Sequence, residues 1–161
     1  MLAGLLCWGC KQTDVTQVLD RAETCMAERP DSSLYLLRTL DKRHISGSLR
    51  KARYALLYSQ ALDKNYIDVD NDSLIRVAVD YYKGHGTSHE KALAYFYLGR
   101  VYDNAGDETR ATEAFVEAET HALDTDDHYI CGLIYSYLGN LYFSQYSFDE
   151  ALAMYDKLSL I

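Results

Sequence analysis

The chain has 161 residues, of which 48% are apolar and 25% charged, a composition typical of a soluble globular domain and not of a disordered tail, a collagen or a multi-span membrane protein. Pro30 is the only proline, so little in the sequence breaks helices, and an all-α fold is predicted. The net charge of −8 repels phosphate backbones, so we expect no nucleic-acid partner for this segment.

The N-terminal segment, residues 1–12, differs in composition from the rest of the chain. Its first ten residues carry no charge and are typical of the apolar region of an export signal, since a transmembrane helix needs ~20 apolar residues. Gly9 and Cys10 follow two leucines in an arrangement that resembles a lipobox, which predicts lipidation at Cys10. The alternatives are a plain apolar N-terminus and a redox pair of Cys7 with Cys10, and a redox pair would need a βαβ frame that is not predicted.

From residue 13 onward, apolar residues recur at helical spacing. The first stripe begins at Val15 and is predicted to end at Pro30, after which Asp31 caps a short helix. Capping-box spacing at residues 87–90 and 147–150 predicts two later helix starts. Polar or glycine-containing breaks separate about eight helices in four antiparallel pairs, and no segment alternates as a strand does.

A set of residues recurs 40 positions later in the chain. Its glycines allow close helix packing, its alanines suit helix crossings, and its aromatic side chains fill the space between helices. We therefore expect the two repeated glycines to lie where helices approach too closely for a side chain. The repeated pairs are Tyr95/Tyr135, Leu98/Leu138, Gly99/Gly139, Tyr102/Tyr142, Ala111/Ala151, Phe115/Tyr155 and Ala118/Leu158.

The first copy resembles the tetratricopeptide-repeat (TPR) pattern almost position for position, and the second departs from it at Tyr146, where the pattern has glycine. The period exceeds the usual ~34 residues, as in extended TPR variants. The resemblance implies an α-solenoid over residues 13–161, a right-handed superhelix of helix pairs. Its parts are a degenerate hairpin at 14–42, a weak repeat at 51–83, and clear repeats at 92–125 and 132–161.

The export-like start joined to a tyrosine-rich repeat array resembles the TPR lipoproteins of Bacteroidetes-type bacteria. The resemblance implies a periplasmic scaffold that binds proteins or peptides and is held to the cell envelope by a lipid on Cys10. Residues 158–161 are mostly apolar, so we expect the chain to be the N-terminal part of a longer protein. The alternative function is the extracytoplasmic sensory domain of a transmembrane transcriptional regulator or kinase.

No catalytic or metal-binding motif is complete, so we expect neither an enzyme nor a bound cofactor or metal. Asp68, Asp70 and Asp72 match the start of an EF-hand loop, but Ser73 and Val79 stand where that loop needs glycine and glutamate. Motifs of zinc proteases, nucleotide-binding loops and serine hydrolases are likewise missing from the sequence.

The TPR resemblance assigns certain positions of each repeat's first helix to a binding groove. Such a groove here holds few cations, so it is a poor clamp for a peptide carboxylate, and we expect a mixed apolar and polar ligand. The groove positions are Leu93, Phe96, Tyr97, Arg100, Asp103 and Asn104, then Leu133, Ser136, Tyr137, Asn140, Phe143 and Ser144. The predicted anchors are Phe96, Tyr97, Tyr137 and Phe143, with Arg100 and Asn140 orienting the ligand.

Overall fold

The computed structural model of the chain describes residues 14–161. These residues form eight α-helices and one 3-10 helix without a strand, which confirms the predicted all-α fold and the number of helices. The predicted export segment and Cys10 lie outside the described residues. The α-helices are α1 (Val15–Cys25), α2 (Pro30–Arg38), α3 (Ser48–Lys64), α4 (Ser73–His85), α5 (Ser88–Asn104), α6 (Glu108–Ala122), α7 (His128–Ser144) and α8 (Phe148–Ser159), and the 3-10 helix spans Lys42–His44.

The first helical pair differs from the prediction at the start of α2. Asp14 caps α1 by accepting a hydrogen bond from the Thr16 N–H at 2.9 Å. The prediction that Pro30 stands outside the helices and that Asp31 caps α2 is wrong, because Pro30 is the first residue of α2 and Asp31 follows in its first turn. Proline suits this position, since the first N–H of a helix has no partner within the helix and the φ of proline is already helical.

The two predicted capping boxes have different outcomes. The Thr87 hydroxyl accepts from the Glu90 N–H at 3.2 Å, and the Glu90 carboxylate accepts from the Thr87 N–H at 2.9 Å, which confirms the first box. The prediction of a second box is wrong, because the Ser147 side chain makes no capping bond to α8. The Ser147 N–H donates to the Tyr142 carbonyl at 2.8 Å, so it does not donate to the Glu150 carboxylate, as a capping box requires.

Each helix packs against the helix that follows it, and the odd-numbered helices also contact one another, α1 with α3, α3 with α5 and α5 with α7. Buried side chains form one cluster around α1, α2 and α3 and a larger one that extends from α3 to α8. Helix α5 contributes consecutive buried residues to the larger cluster, among them Phe96 and Tyr97. Burial on several faces places α5 at the centre of the described residues.

The repeated glycines lie against aromatic rings of the partner helix. A Cβ atom on Gly99 of α5 would be 2.6 Å from the Phe115 ring of α6, and one on Gly139 of α7 would be 2.5 Å from the Tyr155 ring of α8. Carbon atoms in contact stay ~3.5–4.0 Å apart. The close approach predicted for both glycines is therefore confirmed.

Candidate functional site

A groove lies along the odd-numbered helices. It encloses about 240 Å³, and its lining comes from the end of α1, the end of α3 and the first halves of α5 and α7. Two acidic side chains and one lysine are among these residues. The lining residues are Glu23, Met26, Ala27, Gln60, Lys64, His89, Leu93, Tyr97, Asp127, Tyr129, Ile130 and Leu133.

Two polar contacts at the rim of the groove join α3 to α7 and α5 to the start of α7. The Lys64 Nζ donates to the Tyr129 hydroxyl at 3.3 Å and lies 5.3 Å from the centroid of that ring, so α3 reaches α7. The His89 Nδ1 lies 3.3 Å from a carboxylate oxygen of Asp127, an ion pair when the imidazole is protonated. Asp127 also caps α7 by accepting from the N–H groups of Tyr129 and Ile130. The Lys64 contact holds the Tyr129 side chain, which is 65% exposed, at the groove edge, and the Asp127 cap fixes its backbone.

The floor of the groove is apolar. Leu93 of α5 and Leu133 of α7 are half-buried at matching repeat positions, and Ile130 is buried beside them in the lining. Tyr97 borders the cavity with a buried ring, and this burial raises the pKa of its hydroxyl well above the usual value. A hydroxyl that stays neutral can both donate and accept a hydrogen bond without adding charge. The floor therefore offers apolar contact, with the neutral side chains of Tyr97 and Gln60 beside it.

Three of the four predicted aromatic anchors pack between helices. Phe96 is 1% exposed, with its ring centroid 5.5 Å from that of Phe115 and 5.6 Å from that of Tyr137. Tyr137 is half-buried and stacks on Phe115 at 5.4 Å. Tyr97 is buried as well, although it borders the groove. Phe96 therefore belongs to the core, and Tyr137 joins α7 to the α5–α6 pair instead of lining the groove.

The predicted polar residues of α5 bond within the chain. Arg100 donates to Asp63 at 2.9 Å and to Asp103 at 2.7 Å, and its guanidinium carbon lies 4.4 Å from the centroid of the Tyr137 ring. Only 15% of the Arg100 side chain is exposed. Asn104 donates to a backbone carbonyl between α3 and α4 at 3.3 Å. Arg100 and Asn104 therefore fasten α5 to the preceding helical pair.

The predicted residues in the second half of α7 also lie outside the groove lining. Ser136 is half-buried, and Asn140 is exposed and accepts from the Tyr155 hydroxyl at 2.9 Å. Phe143 is 59% exposed, with its ring 5.5 Å from that of Phe148 in α8. Asn140 and Phe143 therefore contact α8 and are open to solvent.

Sequence reasoning missed the rim of the groove. Lys64 lies in the last turn of α3, and His89 and Tyr129 lie in the first turns of α5 and α7, whereas the TPR pattern assigns groove positions only further along each helix. His89 and Tyr129 are 40 positions apart, so the repeat itself places them at equivalent helix starts and is the signal that could have found them. The predicted positions that do line the groove are Leu93, Tyr97 and Leu133.

Two kinds of feature are missing from the described part of the chain. Residues 14–161 contain no group of three or more His, Cys, Asp or Glu side chains that could hold a metal ion. Over the same residues, no helix is both long enough and apolar enough to cross a lipid bilayer. What the groove itself offers is non-covalent recognition, through hydrogen bonds at its rim and apolar contact at its floor.

No protein-family model matches the chain, and neither does any curated protein or solved structure. The structure establishes an all-α fold of eight helices for residues 14–161. The TPR resemblance depends on the repeated residues themselves.

Proposed function

We propose that the chain is a TPR-like α-solenoid that binds a peptide segment of another protein and catalyses no reaction. In a solenoid each repeat contacts its neighbours and the stack forms an extended binding surface. The contacts of α1 with α3, α3 with α5 and α5 with α7 support this arrangement. The observation that carries the proposal is the groove along these same helices, to which all four helical pairs contribute.

The size and lining of the groove favour a peptide side chain as the bound group. Its volume of about 240 Å³ is smaller than the ~300–1,000 Å³ of pockets that enclose a whole drug-sized ligand. The floor at Leu93 and Leu133 suits one aliphatic side chain, because its burial removes apolar surface from water. Lys64, His89 and Asp127 at the rim supply donors and acceptors for the backbone amides on either side of that side chain.

Peptide selection tests this proposal. Peptides are selected from a displayed random library on the full chain, and their affinities are measured for the wild type, Tyr129→Ala and Tyr35→Ala. Tyr129 stands at the rim, whereas Tyr35 on α2 is similarly exposed, at 70%, and lies outside the lining. We expect Tyr129→Ala to weaken binding about tenfold, or ~1.4 kcal/mol, because interface tyrosines contribute large contact area. Tyr35→Ala should bind as the wild type does.

A substitution in the floor of the groove gives a second test of peptide binding. Leu133→Arg places a charge among apolar groups and should abolish binding of the selected peptides. Circular dichroism and the unfolding transition establish that the variant is folded. Selected peptides that bind all of these folded variants equally well would contradict the proposal.

We further propose that a lipid on Cys10 holds the protein to the periplasmic side of the cell envelope. The support is the uncharged first ten residues and the lipobox-like sequence that ends at Cys10. Mass spectrometry of the membrane fraction should show a mature N-terminus at Cys10 carrying acyl chains, since stable anchoring takes more than one chain. The Cys10→Ser variant should no longer be found in the membrane fraction. An unmodified N-terminus at Met1 in that fraction would contradict the proposal.

A further inference from the structure

One face of α8 and the turn that precedes it carry a patch of exposed apolar side chains. Phe148 and Leu152 lie one turn apart on α8 and are 54% and 59% exposed. The centroid of the Phe148 ring lies 5.5 Å from that of Phe143 and 6.1 Å from that of Tyr146, so the rings adjoin one another. We call the following five side chains the α8 patch: Phe143, Tyr146, Phe148, Leu152 and Tyr155.

The preceding helical pair is polar at the equivalent positions. Four members of the α8 patch have a polar residue or glycine 40 positions earlier, namely Asp103, Gly106, Glu108 and Thr112. Helix α7 nevertheless packs on α6, and the side chain of Gln145, after α7, donates to the Thr112 hydroxyl at 3.2 Å. Stacking of one pair on the next therefore does not depend on large apolar side chains at these four positions.

The backbone of the α8 patch is also not what the repeat favours. Tyr146 has φ 61°, in the left-handed region, where its counterpart is Gly106 with φ 72°. A side chain lowers stability in this conformation, and the Tyr146 residue is 81% exposed, so burial of the ring within the chain offsets little of that loss. Backbone strain of this kind is concentrated at functional surfaces, which favours a role for the patch in binding.

The α8 patch is large enough to be the centre of a protein interface. A whole aromatic side chain presents ~150–250 Å², so these five residues, which are 36–81% exposed, present apolar surface on the order of 550 Å². Homodimer interfaces are ~65% apolar, so an interface centred on the patch would cover ~850 Å² of each partner. A standard interface covers ~800 Å² of each partner.

The distribution of apolar surface favours a second copy of the chain as the occupant. At the opposite end of the described residues, α1 and α2 expose only one large apolar side chain, Tyr35. A head-to-tail contact would therefore bury the α8 patch against polar groups and take those groups out of water. Contact between two identical patches buries apolar surface on both sides, and a twofold axis closes such a contact at the dimer.

We propose that the α8 patch is the interface of a symmetric dimer of this chain. Exposed carboxylates of Asp149, Glu150 and Asp156 surround the patch, and within residues 14–161 none has a lysine, arginine or histidine nitrogen within 4.0 Å. The two acidic rims repel each other, so the dimer is weak, with a Kd on the order of 10 µM, and the dilute chain is monomeric. The patch shares no residue with the groove lining, so the dimer stands apart from the proposed function.

Sedimentation velocity of the full chain, from about 1 to about 200 µM, tests the proposal by following the change from monomer to dimer. Leu152→Glu places a carboxylate in the interface of each copy and should raise the Kd of the dimer at least about tenfold. Leu123→Glu makes the same change of charge at a residue that is 65% exposed at the end of α6, and it should leave the Kd unchanged. Higher NaCl screens the acidic rims and should strengthen the dimer.

Tyr146→Gly separates dimerisation from folding. It removes one ring from the interface and should raise the Kd about fivefold, whereas relief of the left-handed backbone should make the dilute monomer more stable. A folding defect would not produce these opposite changes. A photo-cross-linking residue in place of Phe148 should link to the α8 patch of the second copy.

Several results would overturn the proposal. One is a chain that stays monomeric over the whole concentration range. Another is a dimer whose Kd is unchanged in Leu152→Glu or raised equally in Leu123→Glu. Cross-links from position 148 to residues 1–12 or to the groove of the second copy would assign the patch to a different occupant and would also overturn it.

Discussion

The α5–α6 and α7–α8 pairs carry the same repeated residues in different surroundings. Phe115 of α6 is fully buried, whereas Tyr155, its counterpart in α8, is 36% exposed. Within residues 14–161, α5–α6 packs against both α4 and α7, while α8 packs against α7 and reaches α6 through the bond from Lys157 to Glu119. The comparison teaches that a repeat residue stabilises the fold according to how many helices cover it. Each pair can therefore serve as the control for the other.

The largest expected effect comes from Gly99→Leu. The Phe115 ring that a new side chain would meet is fully buried, so it has no free space to move into, and we expect the free energy of unfolding to fall by about 3 kcal/mol or more. Gly139→Leu should cost less, because the Tyr155 ring can turn into solvent. Urea unfolding of both variants measures the difference. Equal losses would show that the two pairs are equally constrained.

Arg100 and Asn140 occupy equivalent repeat positions, and their alanine variants should show the next largest difference in stability. Arg100→Ala removes two charged hydrogen bonds and leaves Asp63 without its partner, so we expect a loss of about 1.5–3 kcal/mol. Asn140→Ala removes one exposed contact and should change stability by less than about 0.5 kcal/mol. Thermal unfolding of both variants measures the two losses of stability. If Arg100→Ala melted like the wild type, the bond between α3 and α5 would not be structural.

The turn within each repeated pair contains a residue with left-handed backbone. Removing the side chain there should change the free energy of unfolding by less than Gly99→Leu and Arg100→Ala do, and should raise it. Gly106 has φ 72° and Tyr146, its counterpart, has φ 61°, a conformation that disfavours side chains. Tyr146 is exposed, so Tyr146→Gly loses little contact and should raise the free energy of unfolding by about 1 kcal/mol. Gly106→Ala should lower it by a similar amount. Urea unfolding that shows Tyr146→Gly to be less stable than the wild type would contradict the assignment of strain.

The smallest effect is a pH dependence in the first repeat. The Asp72 carboxylate accepts from the Tyr102 hydroxyl at 2.8 Å and from Arg76, and these bonds lower its pKa below the ordinary 3.8. A pKa lowered by folding stabilises the protein above the unfolded value, and this contribution is lost as the pH falls through the folded pKa. Tyr142 has Thr112 in the place of Asp72, so the second repeat has no equivalent bond.

Asp72→Asn measures that contribution. Its free energy of unfolding should differ from that of the wild type by a constant amount above about pH 5, and the two should converge below pH 3.8. Tyr142→Phe serves as the control and should show no such convergence. If the difference in free energy of unfolding between the wild type and Asp72→Asn grew towards acid pH, the role of Asp72 would be contradicted.

Local features of the molecule and the close packing within a repeated helix pair could be predicted from sequence, and contacts between successive pairs could not. Helix periodicity, the Thr87 capping box and the close approach at Gly99 depend on residues near one another or on the repeat. The burial of Phe96 and the bond from Arg100 to Asp63 depend on how successive pairs stack. A repeat position determines which face of a helix a residue occupies, but the neighbouring helices determine whether that face meets solvent.

Helix α5 is buried on several faces and lines the groove, so the central claim is that the α5–α6 pair is the rigid centre on which the groove is built. Hydrogen exchange of the free full chain tests this claim most directly. The amides of α5 and α6 should exchange most slowly, at rates set by global unfolding, and those of α8 should exchange faster through local opening. Amides of α8 that are as protected as those of α5, or an α5 that opens first, would contradict the account.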